Sequence, residues 1–153
     1  MALPALPDSA VVLRAEAPDW RAAVRLAGRA LTRGGAARSE YADRMIAVIE
    51  EFGAYVVIAP GLALAHARPG PDVRGEGLAV VTLATPVPFG HPHHDPVRVV
   101  LGVAVSNAEE HVGFIAELAN VFNDPRAVAR VAAAGDADEV RAVLGAQAGE
   151  AGR

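Results

Sequence analysis

Three apolar runs in the middle of the chain, Tyr55-Val56-Val57-Ile58, Leu78 to Leu83 and Val97 to Val105, are short, β-branched and bounded by glycine or proline. Runs of this kind suit strands buried on both faces. The segments before and after them instead carry apolar residues at helical spacing. Helices first, strands between and helices last predict an α/β fold with a mixed β-sheet and helices packed on its faces, rather than a strict βαβ repeat. At 153 residues the chain is expected to form a single domain over 1–153, with its core over about 10–145 and a frayed tail at 146–153.

Around that sheet the elements follow from their punctuation. Val11-Val12-Leu13 reads as a short first strand. Asp19 stands before Trp20, Ala23, Val24, Ala27 and Leu31, a helix that Gly34-Gly35 ends. Ser39 is expected to cap a second helix with the stripe Tyr41, Met45, Val48 or Ile49, and Phe52, stopped by Gly53. In Leu62 to His66 the larger side chains alternate with alanine, so Leu62, Leu64 and His66 share one side of an extended segment. Arg68-Pro69-Gly70-Pro71 forces a loop, and TPVPFGHPHHDP joins the last two strands. Ser106 and Glu109 form a capping box before a helix over 109–122, whose apolar face takes in Val112, Ile115, Leu118, Ala119 and Phe122, with His111 on the same side. Asp124-Pro125 starts another helix, and Asp136 with Glu139 repeats the box before the last one, which runs to Leu144.

Charge and composition narrow the function classes. Fourteen cations, all arginine and dispersed along the chain, stand against 18 acids for a net charge of −4, so there is no basic face for a nucleic-acid backbone. With no cysteine the chain has no disulfide, thiolate metal site or cysteine nucleophile. Apolar stretches at 54–67 and 97–105, interrupted by Pro60-Gly61 and Arg98, fall short of a membrane span, and the N-terminus lacks the pattern of a signal peptide, so a cytoplasmic location is expected. Alanine accounts for 34 residues, yet enough bulkier apolar side chains remain for one core.

The five histidines are the main source of chemistry. His66 follows a strand-like segment among apolar neighbours, with Arg68 two residues on: a neutral imidazole nucleophile beside a cation suited to an anion. A core-edge histidine bonded to a carbonyl is the ordinary alternative. His111 sits in the first turn of its helix on a core-facing stripe, where a satisfied buried histidine is the default; only a meeting with His66 would give it a site role. His91, His93, His94 and Asp95 are of the types that bind zinc, but adjacent histidines in a proline-bounded loop seldom converge on one ion, and a solvated loop is expected. No metal site and no cofactor are assigned. The chain has no GxGxxG, P-loop, HExxH or GxSxG motif, and the pairs Glu50-Glu51 and Glu109-Glu110 read as solvated helix faces.

APGLALAHARPG at 59–70, TPVPFG at 85–90, DPVRVVLGVA at 95–104 and EEHVGFIAELANVF at 109–122 together resemble the enzyme IIA domain of the bacterial phosphoenolpyruvate:sugar phosphotransferase system, mannitol/fructose type. The ascorbate branch is the most similar. The resemblance spans roughly residues 10–145. It implies that His66 is the phosphorylated nucleophile, with His111 against it in support and Arg68 stabilising the phosphoryl oxygens. It also implies that HPr is the donor and that a cysteine of an enzyme IIB domain or subunit is the acceptor. A membrane IIC component is then an indirect partner, and ascorbate or a related sugar acid the sugar. Two positions depart from the pattern: Ala65 stands where the family usually has proline, and Glu50-Glu51 where the mannitol branch has an Arg–Glu pair. The alternative is a regulatory interaction module of the same fold that feeds no transporter. Oligomeric state is left open.

Overall fold

The computed structural model describes residues 3–149, apart from the side chain of Glu110. Its elements are β1 (Val11–Ala15), α1 (Trp20–Arg33), α2 (Glu40–Phe52), β2 (Val57–Ala59), β3 (Leu62–His66), β4 (Gly77–Val87), β5 (Val97–Ala104), α3 (Ala108–Phe122), α4 (Ala127–Ala132) and α5 (Ala137–Leu144). The strands form one mixed sheet in the order β1-β4-β5-β3-β2. The pairs β1/β4 and β3/β5 are parallel; β4/β5 and β2/β3 are antiparallel. This is the mixed α/β architecture that the segment order implies.

Burial explains the arrangement. Val99 to Ala104 of β5 are all buried, and consecutive strand residues point to opposite faces, so both faces of β5 are covered. Helix α1 lies on β4 and β5 and beside α2, α4 reaches the same two strands, and α3 and α5 pack against α4. Asp19 caps α1 by accepting from the Ala22 N–H at 2.9 Å, and Asp136 caps α5 by accepting from Glu139 N–H at 2.9 Å while the Glu139 carboxylate reaches back to Gly135 N–H. Each satisfies backbone donors that a helix start otherwise leaves unpaired. At Asp124 the carboxylate accepts from Arg126 N–H and the carbonyl from Ala127 N–H, turning the chain into α4.

Several local expectations are corrected. Tyr55 to Ile58 is not one buried strand: Ala54–Val56 is a 3₁₀ turn and β2 is a three-residue edge strand with Ile58 47% exposed. Gly53, at φ 85°, ends α2 and redirects the chain, and Pro60-Gly61 folds it back onto β3 so soon afterwards that only a short edge can form. Ser39 does not cap α2, because its hydroxyl donates to the Glu40 carboxylate instead. β4 continues past Leu83 through Pro86 to Val87, which pairs with Val97. Helix α3 starts one residue earlier than expected, at Ala108. Its buried residues are Phe114 and Leu118, whereas Val112 is 68% exposed and Ala119 is exposed. The segment expected to fray is tied down at Gln147, whose carbonyl accepts from Leu6 N–H at 2.8 Å; residues 150–153 lie outside the described part.

Candidate functional site

Because β3 and β5 are parallel, with His66 opposite Val103, their C-terminal ends emerge side by side. Tyr41 of α2, fully buried, ties these ends together: its hydroxyl accepts from Ala67 N–H at 3.0 Å and donates to the Val103 carbonyl at 2.7 Å. One turn along α2, Arg44 makes a bidentate pair with Asp72, Nε to Oδ2 at 2.8 Å and Nη2 to Oδ1 at 2.7 Å, and Nη2 also donates to the Arg68 carbonyl at 2.7 Å. The guanidinium holds the Asp72 carboxyl below its ordinary pKa. The loop after His66 is thus anchored to α2 at three points, Ala67, Arg68 and Asp72.

His66 is half-buried. Its Nδ1 lies 3.4 Å from the Leu64 carbonyl, so in the neutral ring the proton is assigned to Nδ1 and the lone pair to Nε2. The His111 ring stands 5.0 Å away between centroids, tilted by 40°, and Tyr55 meets His66 edge-on at 6.5 Å. Burial chiefly, and secondly the nearby His111, push the His66 pKa below its ordinary value, against a smaller opposing effect of the Leu64 carbonyl. The imidazole is therefore neutral at physiological pH. A cavity of about 510 Å³ opens here, lined by Val48, Phe52, Tyr55, His66, Ala67 and Arg68. Arg68 is exposed and makes no ion pair among the described residues. A half-buried nucleophilic nitrogen, a second imidazole and a free cation on an apolar-rimmed opening suit the transfer of a small anionic group between macromolecules.

The depressed pKa has a stability consequence. As pH falls, the unfolded chain protonates this histidine near pH 6.5 while the folded chain resists, so the unfolded state binds more protons and folding weakens. Denaturant titrations at about pH 7.5 and about pH 5.5 should give a loss of stability in the wild type that is smaller in His66→Gln. Equal losses in the two proteins would contradict the burial of this ring.

The other histidines lie elsewhere. The carbonyl of His94 accepts from Gly61 N–H, at the opposite end of β3 from His66. His91 Nδ1 accepts from the N–H groups of His93 and His94, both at 3.0 Å, and its ring stacks on His94 at 4.4 Å. Asp95 accepts from the N–H groups of Phe89, Gly90 and His91. The His91 ring and the Asp95 carboxylate close the turn, while His94 Nδ1 is buried without a hydrogen-bond partner; among the described residues no group of three or more His, Cys, Asp or Glu is placed to hold a metal ion. Glu50 pairs with Arg21, and Glu51 and Glu109 are exposed, away from acid–base geometry.

Sequence reasoning missed Tyr41 and Arg44 as site residues, reading the first as core and passing over the second. Positions 41, 44, 45 and 48 share one helix face, but that spacing does not show that two of them reach the backbone of the loop after His66.

Residues 5–146 match the family described as phosphoenolpyruvate-dependent sugar phosphotransferase system, EIIA 2. The ascorbate-specific PTS system EIIA component of Salmonella choleraesuis is 36% identical over 135 residues, covering 87% of each chain. Enzyme IIAMtl of Escherichia coli, solved in complex with phosphorylated enzyme IIBMtl, superposes with a TM-score of 0.78 at 26% identity over 95% of this chain and 96% of that one. The nitrogen regulatory protein IIA-Ntr of Neisseria meningitidis gives the same TM-score at 26% identity, covering 91% and 95%. Among the described residues no helix is long and apolar enough to cross a membrane.

Proposed function

The chain belongs to the EIIA 2 family of the phosphoenolpyruvate-dependent sugar phosphotransferase system, whose members are phosphocarriers, and from that premise we propose that Nε2 of His66 carries the phosphoryl group. The observation behind this reading is the opposed use of the two ring nitrogens: Nδ1 faces the Leu64 carbonyl while Nε2 keeps its lone pair in a ring held neutral by burial. In the first step that lone pair attacks phosphorus of phospho-HPr in line, forming an N–P bond as the bond to the HPr imidazole breaks. In the second, a thiolate of enzyme IIB takes the group, an S–P bond forms, and His66 leaves as neutral imidazole. Little covalent work is asked of the protein beyond positioning and charge stabilisation, which suits His111 and Arg68 as partners of the equatorial oxygens.

Phosphate exchange between proteins also needs an apolar rim that excludes water on docking. Phe52, at 59% exposure, and Tyr55, at 49%, form an aromatic edge running to His66, with Val112 beside His111. The IIA component works in the cytoplasm, with the membrane IIC component downstream, and the similarity to ascorbate-specific components supports ascorbate or a related sugar acid as the transported sugar. A signalling role without transport is the second reading, favoured by the likeness to IIA-Ntr. Incubation with phosphoenolpyruvate, enzyme I and HPr should load one phosphoryl group per chain, and addition of a IIB protein should discharge it; loading without discharge to any IIB protein of the same genome would favour the signalling role.

His111 should support the transfer without receiving the group. His111→Ala is expected to load to completion but roughly a hundredfold to a thousandfold more slowly, the range for loss of one stabilising donor in a transfer site. Rapid-quench kinetics measures this, and a folded variant that never loads would overturn the purely supporting role.

A further inference from the structure

His66 is flanked by Ala65 and Ala67, which place no ring or branched side chain on the backbone that aims the imidazole. Something else must fix that backbone. Residues 70–75 are fastened to the turn between α1 and α2 by main-chain bonds, Arg38 N–H to the Asp72 carbonyl, Arg74 N–H to the Ala36 carbonyl and Val73 N–H to Gly70 within the loop. None of these reaches 67–69, the stretch next to the nucleophile. Two side chains from α2 do: the Tyr41 hydroxyl on Ala67 N–H and the Arg44 guanidinium on the Arg68 carbonyl.

Building on the phosphocarrier reading, we propose that Arg44, locked in place by Asp72, is a positioning residue for phosphoryl transfer, which holds the Arg68 carbonyl and thereby sets the aim of the His66 ring and of the Arg68 cation. The guanidinium has the geometry for this double duty. Its planar fork spends Nε–H and one Nη2–H on the two carboxylate oxygens and the second Nη2–H on the carbonyl. Asp72 is buried and cannot follow the side chain outward, so it fixes the fork rather than trailing it. The Tyr41 ring lies beneath the guanidinium at 5.4 Å, joining both anchors on one helix face. Lysine could keep the charge opposite Asp72 but, as a single point donor group without the planar fork, not the bidentate pair and the carbonyl bond together.

A purely structural role predicts that transfer falls in step with stability; a positioning role separates the two. The variants are Arg44→Lys and the double Arg44→Ala/Asp72→Ala, which removes the pair without stranding the buried carboxylate. Three quantities are read for each: melting temperature, the ¹⁵N spectrum of the His66 ring, and single-turnover transfer from phospho-HPr as a function of donor concentration. The double variant should lose about tenfold or more in maximal rate, as a slightly misaimed nucleophile does, with half-saturating donor concentration unchanged. Its His66 ring should populate the Nδ1–H tautomer less. Arg44→Lys should melt close to wild type yet recover only part of the rate. Wild-type rates and ring spectra in the double variant overturn the proposal, as does an Arg44→Lys protein whose rate recovers fully along with its stability. If the wild type itself takes no phosphate on His66, the phosphocarrier reading fails, and the tautomer spectra still decide whether Arg44 sets the ring.

Discussion

His66→Gln should take up no phosphate from phospho-HPr under conditions in which the wild type takes up one group per chain. Glutamine matches imidazole in reach and keeps a donor for the Leu64 carbonyl, so the half-buried position stays filled and the strand end undisturbed. What disappears is the lone pair: an amide nitrogen is delocalised into its carbonyl and does not attack phosphorus at neutral pH. The neighbouring His111 does not substitute, because a group aimed at the Nε2 position of His66 must shift by about a ring width to reach it, and in-line transfer does not tolerate such a displacement. The label on wild type should be lost in acid and kept in base, as expected of a phosphoramidate. Circular dichroism of the variant shows whether the fold survives. A folded His66→Gln protein labelled like wild type would move the site to His111, or to His91, His93 or His94 at the other end of β3.

The parts of this fold legible in the sequence were those governed by neighbours along the chain. Asp19 and Asp136 announce their helices because a cap is a contact over three residues, and Val99 to Val105 announces a central strand because burial on both faces leaves no polar position after Arg98. The misjudged parts depend on partners far away. Tyr55 to Ile58 has strand composition, but whether such a run becomes a central strand or a short edge is decided by the hairpin onto β3. Val112 sits at a spacing compatible with the stripe of α3, yet only the docking of that helix decides that Phe114 and Leu118 face inward. Ser39 has cap chemistry and spends it on Glu40. At the site, periodicity pointed to His66 as one residue of an extended face, and the family resemblance is what implied a nucleophilic role for it. The anchors were invisible for the same physical reason as the edge strand: Tyr41 and Arg44 act on backbone atoms of residues 67, 68 and 103, and a backbone carbonyl has no signature in a sequence.

Those anchors ride on α2, and α2 is seated by a close approach that one substitution should destroy. Gly28 of α1 faces Ala42 of α2, and a Cβ placed on it would collide with the Ala42 Cβ and lie 2.8 Å from the Ala42 Cα and 3.2 Å from the Met45 Cε. Met45 can yield, but the Ala42 backbone cannot move without moving its helix. Gly28→Val should therefore push α2 off α1. Helix propensity works the other way, since valine gains a few tenths of a kcal/mol over glycine in a helix, too little to offset overpacking of about 3 kcal/mol for a branched side chain between two helices. The expected result is a melting temperature lower by roughly 6–12 °C in a chain of this size. Because Ala42 lies between Tyr41 and Arg44, the same displacement should slow phosphoryl transfer in whatever fraction remains folded. Gly28→Ala is the milder comparison, and pairing it with Ala42→Gly removes the Cβ–Cβ collision but leaves the approach to the Ala42 Cα, so the pair should recover only part of what Gly28→Ala loses. Thermal unfolding followed by circular dichroism decides it: a Gly28→Val protein as stable as wild type would mean that α1 and α2 are not seated on each other at this point, and the anchoring of the His66 loop through α2 would lose its foundation.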